Sequence, residues 1–96
     1  LEMVAAITIA HHEWYDGSGY PRGISGLDIP LSARITAVAD VYDALRSRRP
    51  YKGEWTHEDA VKYITGKAGV QFDPDIIEIF SKISDRFEKI YMELKD

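Results

Sequence analysis

Cysteine is absent from the 96-residue sequence, which excludes disulfides and thiolate-bound metals and is compatible with the reducing cytoplasm, our predicted location. The longest apolar run, residues 3–10, is far shorter than the about 20 residues that a membrane-spanning helix needs. Sixteen acidic and twelve basic residues give a formal net charge of −4, which argues against binding to nucleic acid polymers. The length allows one small domain, residues 1–96.

Apolar and polar residues nowhere alternate with the period of two that half-buried strands show, so the sequence predicts an all-α fold, a helical bundle. Glycines concentrate in a predicted loop over residues 14–30, and loops of that length are usually functional. An apolar helix is predicted over residues 2–13. The bounds of the other three predicted helices are Pro30 to about Ser47, Thr56 to Gly66 or Gly69, and Asp73 onward.

Residue types at the helix starts predict caps, and the helical spacing of apolar residues predicts core positions. Thr56, with Asp59 three residues later, and Asp73, followed by Pro74, are predicted N-caps. The heptad spacing of the last helix also leaves a coiled-coil dimer open. The two predicted core stripes are Leu31, Ile35, Val38, Tyr42 and Leu45, and Phe80, Ile83, Phe87, Ile90 and Leu94.

Two adjacent histidines, His11 and His12, lie at the end of the first predicted helix. Neighbouring helical side chains point about 100° apart, so such a pair converges on one point only at a helix end or when it serves neighbouring metal ions. Imidazole suits zinc, iron, copper, nickel and manganese. The alternative is a pair of solvent-facing or hydrogen-bonded histidines without a metal.

Asp40 lies on the side of its helix opposite the predicted core stripe. Small residues surround it there, where a solvated face would carry Lys, Glu and Arg, which indicates that another group approaches closely. Such a carboxylate is costly unless it is paired or binds a metal, so Asp40 is either a metal ligand or the partner of an arginine. The residues of this face are Ala33, Thr36, Ala37, Asp40, Asp43, Ala44 and Ser47.

Four of the twelve basic residues lie between positions 46 and 52. Guanidinium forks grip phosphate oxygens and lysine adds a point charge. Interaction with the helix dipole accounts for Arg46 and Arg48 but less well for Arg49 and Lys52, which follow the helix. An anion site one or two turns from Asp40, beside a metal, indicates phosphoryl chemistry.

Four other residues are assigned to structure rather than to chemistry. His57 lies in the first turn of a capped helix and is predicted to face solvent. Trp14, Trp55 and Phe72 are predicted to be packing anchors rather than platforms for a ligand.

A series of short motifs follows one order along residues 4 to 80. It comprises His11-His12-Glu13, Asp16-Gly17, Gly19-Tyr20-Pro21, Gly23, Ile29-Pro30, Ala33-Arg34-Ile35, Val38-Ala39-Asp40, Tyr42-Asp43-Ala44-Leu45, Arg49-Pro50-Tyr51 and Phe72-Asp73-Pro74. This series closely resembles the C-terminal half of an HD-GYP domain, and a chance match of so many ordered motifs is very improbable.

The resemblance implies an all-helical member of the HD metallophosphohydrolase superfamily that hydrolyses cyclic di-GMP to pGpG or on to GMP. It implies a centre of two or three divalent metals, most often iron or manganese, at which a metal-bound water attacks and no side chain is a catalytic group of its own. By position, the implied metal ligands are His11, His12 and Asp40. The implied substrate contacts are Gly19, Tyr20, Pro21, Asp43, Arg49 and Lys52.

Two departures from the family pattern modify this expectation. Arg46 stands where the family commonly has threonine, which adds charge beside the phosphate-binding residues and keeps other cyclic dinucleotides open as substrates. The remaining family ligands, including the His-Asp pair, are expected upstream of residue 1. We therefore expect the chain to be the C-terminal portion of an HD-GYP domain, inactive without the N-terminal half.

An unpartnered apolar helix over residues 2–13 would favour a homodimer or a domain swap. The alternative function is a non-catalytic module that binds a cyclic dinucleotide or docks a protein such as a diguanylate cyclase domain. In that case the loop with Tyr20 and Pro21 would be the docking surface.

Overall fold

The computed structural model describes residues 12–20, 22–47 and 55–94. They form a short 3-10 turn at Gly26–Asp28 and three α-helices, α1 (Leu31–Arg46), α2 (His57–Gly66) and α3 (Pro74–Leu94). No strand occurs in these segments, and the predicted all-α class is confirmed. No helix among them is long and apolar enough to cross a membrane. Most of the first predicted helix, residues 2–11, lies outside the described residues.

The helices pack side by side, with α1 and α3 running in the same direction. Arg34 near the start of α1 contacts Asp73 at the start of α3, whereas Arg46 at the end of α1 contacts Glu88 far along α3. Helix α2 begins beside the second contact, where the His57 ring meets α1, and leads back toward the first. Each helix contacts the other two, and the three together enclose one main core.

The main core lies where all three helices meet. Phe72, in the connection between α2 and α3, is almost completely buried and is the packing anchor that the sequence predicted. Elsewhere in the core the rings of Tyr42, Phe80 and Phe87 meet edge to face, with the Phe80 and Phe87 centroids 5.0 Å apart. The buried members of this core are Val38, Tyr42, Ala60, Ile64, Phe72, Ile77 and Phe80.

Both predicted N-caps are confirmed. The Thr56 hydroxyl accepts a hydrogen bond from the Asp59 backbone N–H (3.1 Å) at the start of α2. The Asp73 carboxylate accepts one from the Asp75 N–H (2.9 Å), and Pro74 is the first residue of α3. Local sequence therefore fixes where these two helices begin.

The first half of the predicted α1 stripe was wrong. Leu31 is 57% exposed and Ile35 52% exposed, whereas Ala33, predicted on the opposite side, is buried against Ile29. The reason is that the main core contacts only the second half of α1. The first turns pack instead on the end of the preceding loop, which lies on another side of the helix.

The last residues of the α3 stripe were also misplaced. Phe80 is buried and Phe87 packs on the core, but Ile90 and Leu94 are exposed. Helix α2 has 10 residues and α3 has 21. At 1.5 Å per residue these correspond to about 15 and about 32 Å, so the final turns of α3 extend past α2.

A buried ion pair joins the starts of α1 and α3. Arg34 Nη1 lies 2.6 Å from Asp73 Oδ2, and both side chains are largely buried. The Arg34 Nε also donates to the Ile29 carbonyl (2.9 Å), at the end of the preceding loop. One arginine therefore holds the loop end, α1 and the cap of α3 together.

We expect Asp73→Ala to lower the free energy of unfolding by about 3–5 kcal/mol, because it leaves the Arg34 charge buried without a partner and removes a cap. Asp75→Ala, an exposed carboxylate in the same first turn, is the matched control and should cost less than about 1 kcal/mol. Urea denaturation at neutral pH measures both. Equal losses in the two variants would contradict a structural role for the ion pair.

Candidate metal and nucleotide site

The loop before α1 is attached to the connection between α2 and α3. The Asp16 N–H donates to the Val70 carbonyl (2.9 Å), and the Tyr15 N–H donates to the Gln71 carbonyl (3.2 Å). Further along the loop, the Gly26 N–H donates to the Tyr15 carbonyl (2.9 Å). In the described part of this loop the 3-10 turn is the one regular element, and these backbone hydrogen bonds hold the rest in one arrangement.

Asp16 is a structural residue of this loop. Its Oδ1 accepts hydrogen bonds from the Ser18 hydroxyl (2.6 Å) and the Ser18 N–H (2.9 Å), and both lower the pKa of Asp16. Gly17 between them has φ of +87°, a conformation that L-residues rarely adopt. The carboxylate is fully exposed and closes its own turn.

The structure brings His12, Gly19 and Tyr20 together. The Tyr20 N–H donates to the His12 carbonyl (3.2 Å), and the Tyr20 ring stacks on the His12 imidazole at 4.9 Å between centroids and 17° between planes. A Cβ at Gly19 would overlap the backbone between His12 and Trp14, so only glycine permits this approach. Pro21, the third residue of the predicted signature loop, lies outside the described residues.

Glu13 is a buried carboxylate to which the sequence analysis gave no individual role. Its side chain is only 3% exposed, and Oε2 accepts a hydrogen bond from the Arg22 N–H (2.7 Å). Among the described residues, Oε1 has no hydrogen-bond partner. Glu13 thereby joins the chain on either side of the Gly19-Tyr20 turn. The only sequence signal was its place directly after the two histidines.

Asp40 and Asp43 share one face of α1, as the helical wheel predicts, and both are exposed among the described residues; the close approach of another group to this face stays a prediction. Being three residues apart, they are neighbours on that face. Ser47 closes the helix behind them, since its N–H and hydroxyl both bond to the Asp43 carbonyl (2.9 and 2.7 Å). Within the described residues, no ion pair to an arginine occupies the Asp40 carboxylate.

The predicted metal ligands are only partly described. No group of three or more His, Asp or Glu side chains that could hold a metal occurs within residues 12–20, 22–47 and 55–94. His11 lies outside these ranges, as do Arg49 and Lys52. The exposed imidazole of His12 and the exposed carboxylate of Asp40 are donor types that suit iron or manganese, so the residues present fit such a metal by chemistry. The ligand assignment stays a prediction.

Two sequence predictions near the end of α1 were wrong. Arg46 was expected to add charge beside the phosphate-binding residues, yet it is 7% exposed and its guanidinium pairs with Glu88 (3.2 Å). His57 was expected to face solvent, yet its side chain is 11% exposed and Nδ1 lies 2.8 Å from the Tyr42 hydroxyl. Both side chains turn inward because α3 presents a carboxylate there.

The groups around Arg46 stabilise its charge. Burial by itself disfavours that charge, but the hydrogen bonds and attraction to Glu88 outweigh it and raise the pKa of Arg46. Burial raises the pKa of the Tyr42 phenol, which therefore stays protonated at neutral pH. The phenol oxygen accepts from Arg46 Nη1 (2.8 Å) and lies within hydrogen-bonding distance of His57 Nδ1 (2.8 Å).

A sequence model of the HD domain family matches residues 1–76 of the chain. The chain belongs to the HD domain family. A solved structure agrees with this assignment. The crystal structure of a cyclic GMP-AMP-specific phosphodiesterase from Vibrio cholerae resembles this HD domain chain with a TM-score of 0.75 and 27% sequence identity, covering 95% of this chain and 20% of that one.

Curated relatives of this HD domain chain include named phosphodiesterases. A cyclic di-GMP phosphodiesterase response regulator of Xanthomonas campestris is 48% identical over 90 residues, which are 94% of this chain and 24% of the relative. A cyclic di-GMP phosphodiesterase of Thermotoga maritima is 43% identical over 96 residues, all of this chain and 26% of the relative. A 3'3'-cGAMP-specific phosphodiesterase of Vibrio cholerae is 42% identical over 96 residues, 18% of its length. The chain thus spans about a quarter or less of these relatives.

Gly19→Ala should lower the free energy of unfolding of this HD domain chain by about 1–3 kcal/mol, because the added methyl overlaps backbone atoms of the His12–Trp14 segment. Gly66→Ala, at the end of α2 with open space around the added atom, should be neutral or stabilise by up to about 1 kcal/mol. Urea denaturation compares the two. The same sign and size in both would contradict the close approach at Gly19.

Proposed function

We propose that the protein to which this chain belongs hydrolyses cyclic di-GMP, to pGpG or on to GMP, in cyclic-dinucleotide signalling in the cytoplasm. The observation that carries this proposal is the 48% and 43% identity, across nearly the whole chain, to two relatives named cyclic di-GMP phosphodiesterases. The chain's arrangement of His12, Gly19 and Tyr20 supports it, because the loop holds a candidate ligand beside an aromatic ring. No side chain of the chain is proposed as a catalytic group of its own.

His11, His12 and Asp40 would contribute to the binding of two or three divalent metals, iron or manganese, in the complete site. The chemistry supplied by metals bound there is activation of a water and neutralisation of phosphate charge. The chain's own contribution is to orient the donors. Tyr20 restricts the His12 imidazole by stacking, and the ion pairs at both ends of α1 fix the helix that carries Asp40.

Substrate contacts would come from the signature loop, from α1 and from the segment after α1. Tyr20 remains 62% exposed although one side of its ring stacks on His12, so most of the ring is accessible to a guanine base. Asp43, on the same exposed face as Asp40, would accept hydrogen bonds from the nucleotide. We propose Gly19 and Pro21 as pocket-shaping residues and Arg49 and Lys52 as phosphate ligands, since cations position the substrate in phosphoryl transfer.

A second function is a docking module without catalysis. It is favoured by the exposure of Tyr20 on a loop held by hydrogen bonds, which offers a rigid aromatic anchor for a protein such as a diguanylate cyclase domain.

Tyr20→Ala in the intact protein should abolish capture of such a partner. Capture that persists in this variant would eliminate the docking hypothesis. Homodimerisation or domain swapping stays a separate proposal, which light scattering of the chain tests.

The metal assignment is tested in the intact protein, supplied anaerobically with ferrous iron or manganese. His12→Ala and Asp40→Ala should each reduce turnover of cyclic di-GMP more than about 100-fold, because each removes a proposed metal ligand and the reaction depends on the bound metal. Metal content measured on the same preparations should fall in both variants. Asp85→Ala, an exposed carboxylate on α3, is the control and should change neither. Full turnover in either ligand variant, in folded protein, would refute the metal assignment.

Substrate choice is tested by comparing cyclic di-GMP and 3'3'-cGAMP in parallel assays of the intact protein. We expect the higher kcat/KM for cyclic di-GMP, because the two most similar relatives described above carry that name. A preference for 3'3'-cGAMP would place this protein with the third relative. The hydrolytic reaction itself would stand in either case.

A further inference from the structure

A buried cluster of polar side chains joins the end of α1 to α2 and α3, and it contains none of the residues assigned to metal or substrate. Glu88 accepts hydrogen bonds from both terminal nitrogens of Arg46 (3.2 Å each). The Arg46 guanidinium also lies over the Tyr91 ring, 4.3 Å from its centroid. On the other side, Tyr42 bridges Arg46 and His57.

The cluster also fixes the backbone at the end of α1. The Tyr91 hydroxyl donates to the Arg46 carbonyl (2.8 Å), one of the last carbonyls of the helix, which have no intrahelical partner. The Ser47 N–H makes the last helical bond, to the Asp43 carbonyl (2.9 Å). Helix α3 therefore holds the main chain of α1 as well as its arginine side chain.

The chain returns to the same place after residues 48–54. The Trp55 N–H donates to the Leu45 carbonyl (3.1 Å), and His57, two residues later, joins the cluster through the Tyr42 hydroxyl. The described residues on both sides of 48–54 are thus attached within one turn of the end of α1.

We propose that Tyr91 and Glu88 of α3 are positioning residues for nucleotide binding: by holding the Arg46 backbone and guanidinium, they orient the last turn of α1, which carries the proposed nucleotide contact Asp43. This inference rests on the proposed function. It assigns a role in substrate affinity to a helix that carries no metal ligand and no proposed substrate contact.

Tyr91→Phe is the most selective test, because it keeps the ring under the guanidinium and removes only the hydroxyl that holds the Arg46 carbonyl. In the intact protein with manganese, the KM for cyclic di-GMP should rise about three- to tenfold, the effect of losing one hydrogen bond, with kcat changed less than about twofold. Glu88→Gln should raise KM further, because it leaves the buried Arg46 charge without its carboxylate.

Two controls separate positioning from general stability. Tyr63→Phe removes a phenol hydroxyl that bonds to Gln71 (3.3 Å) elsewhere in the bundle, and Glu93→Gln neutralises an exposed carboxylate on α3. Neither should change KM. In Tyr91→Phe, hydrogen exchange should become faster at the amides of Ser47 and Trp55, which mark the two ends of the segment.

The outcomes are distinguishable. An active intact protein whose KM is unchanged in both Tyr91→Phe and Glu88→Gln would overturn this inference alone. A loss of kcat at unchanged KM, accompanied by a lower Tm, would also overturn it and leave Tyr91 as a purely structural residue. An intact wild-type protein that neither binds nor hydrolyses cyclic di-GMP would overturn the proposed function, and this inference with it.

Discussion

The ion pair between Arg34 and Asp73 is the contact on which the arrangement of the loop and helices depends. Asp73 caps α3 with one carboxylate oxygen and binds Arg34 with the other, while Arg34 also holds the Ile29 carbonyl. The loop is attached a second time, through Tyr15 and Asp16, to the two residues just before Phe72. The loop, α1 and α3 consequently meet at one buried position. The stacked pair of Tyr20 and His12 belongs to the loop that is attached there.

Helix α1 is held to α3 at both ends by buried guanidinium groups. Arg34 and Arg46 are twelve residues apart in the sequence, which is about 18 Å along the helix. Sliding one helix along the other by a turn would separate both pairs at once and leave charges buried without partners. Buried ion pairs often add little net stability, but two of them fix register, and the exposed face with Asp40 and Asp43 inherits that register.

Local chemistry made much of the fold predictable from sequence. The caps Thr56 and Asp73 act on neighbouring residues, so their effects are visible in a short window of sequence. Helical spacing alone placed Asp40 and Asp43 on one face of α1, but it did not predict the exposure of that face. Nor did it predict the inward turn of Arg46, because that depends on Glu88, 42 residues later. From the sequence alone, a charged residue near a helix end that is buried against a distant partner looks the same as one that faces solvent.

Glu13 and His57 illustrate the same limit for the candidate site. Glu13 lies in a motif and His57 in a helix turn that the sequence identified correctly. Glu13 is bonded to the Arg22 N–H beyond the Gly19-Tyr20 turn, and His57 to the Tyr42 hydroxyl on another helix. Neither partner is evident from the sequence. Leu31 and Ile35 fit the spacing of a core stripe, yet no helix of the described bundle covers them. Periodicity reports which residues share a face, whereas the neighbouring elements decide which face is covered.

The close approach at Gly19 changes how that residue should be interpreted. Every other coded amino acid begins with a Cβ, and that single atom already overlaps the backbone between His12 and Trp14. Selection would therefore reject all alternatives alike, whatever their charge, size or polarity. An invariant glycine at this position among homologues would record a steric constraint on the main chain, and ligand recognition has to be sought in the side chains that the constraint holds in place.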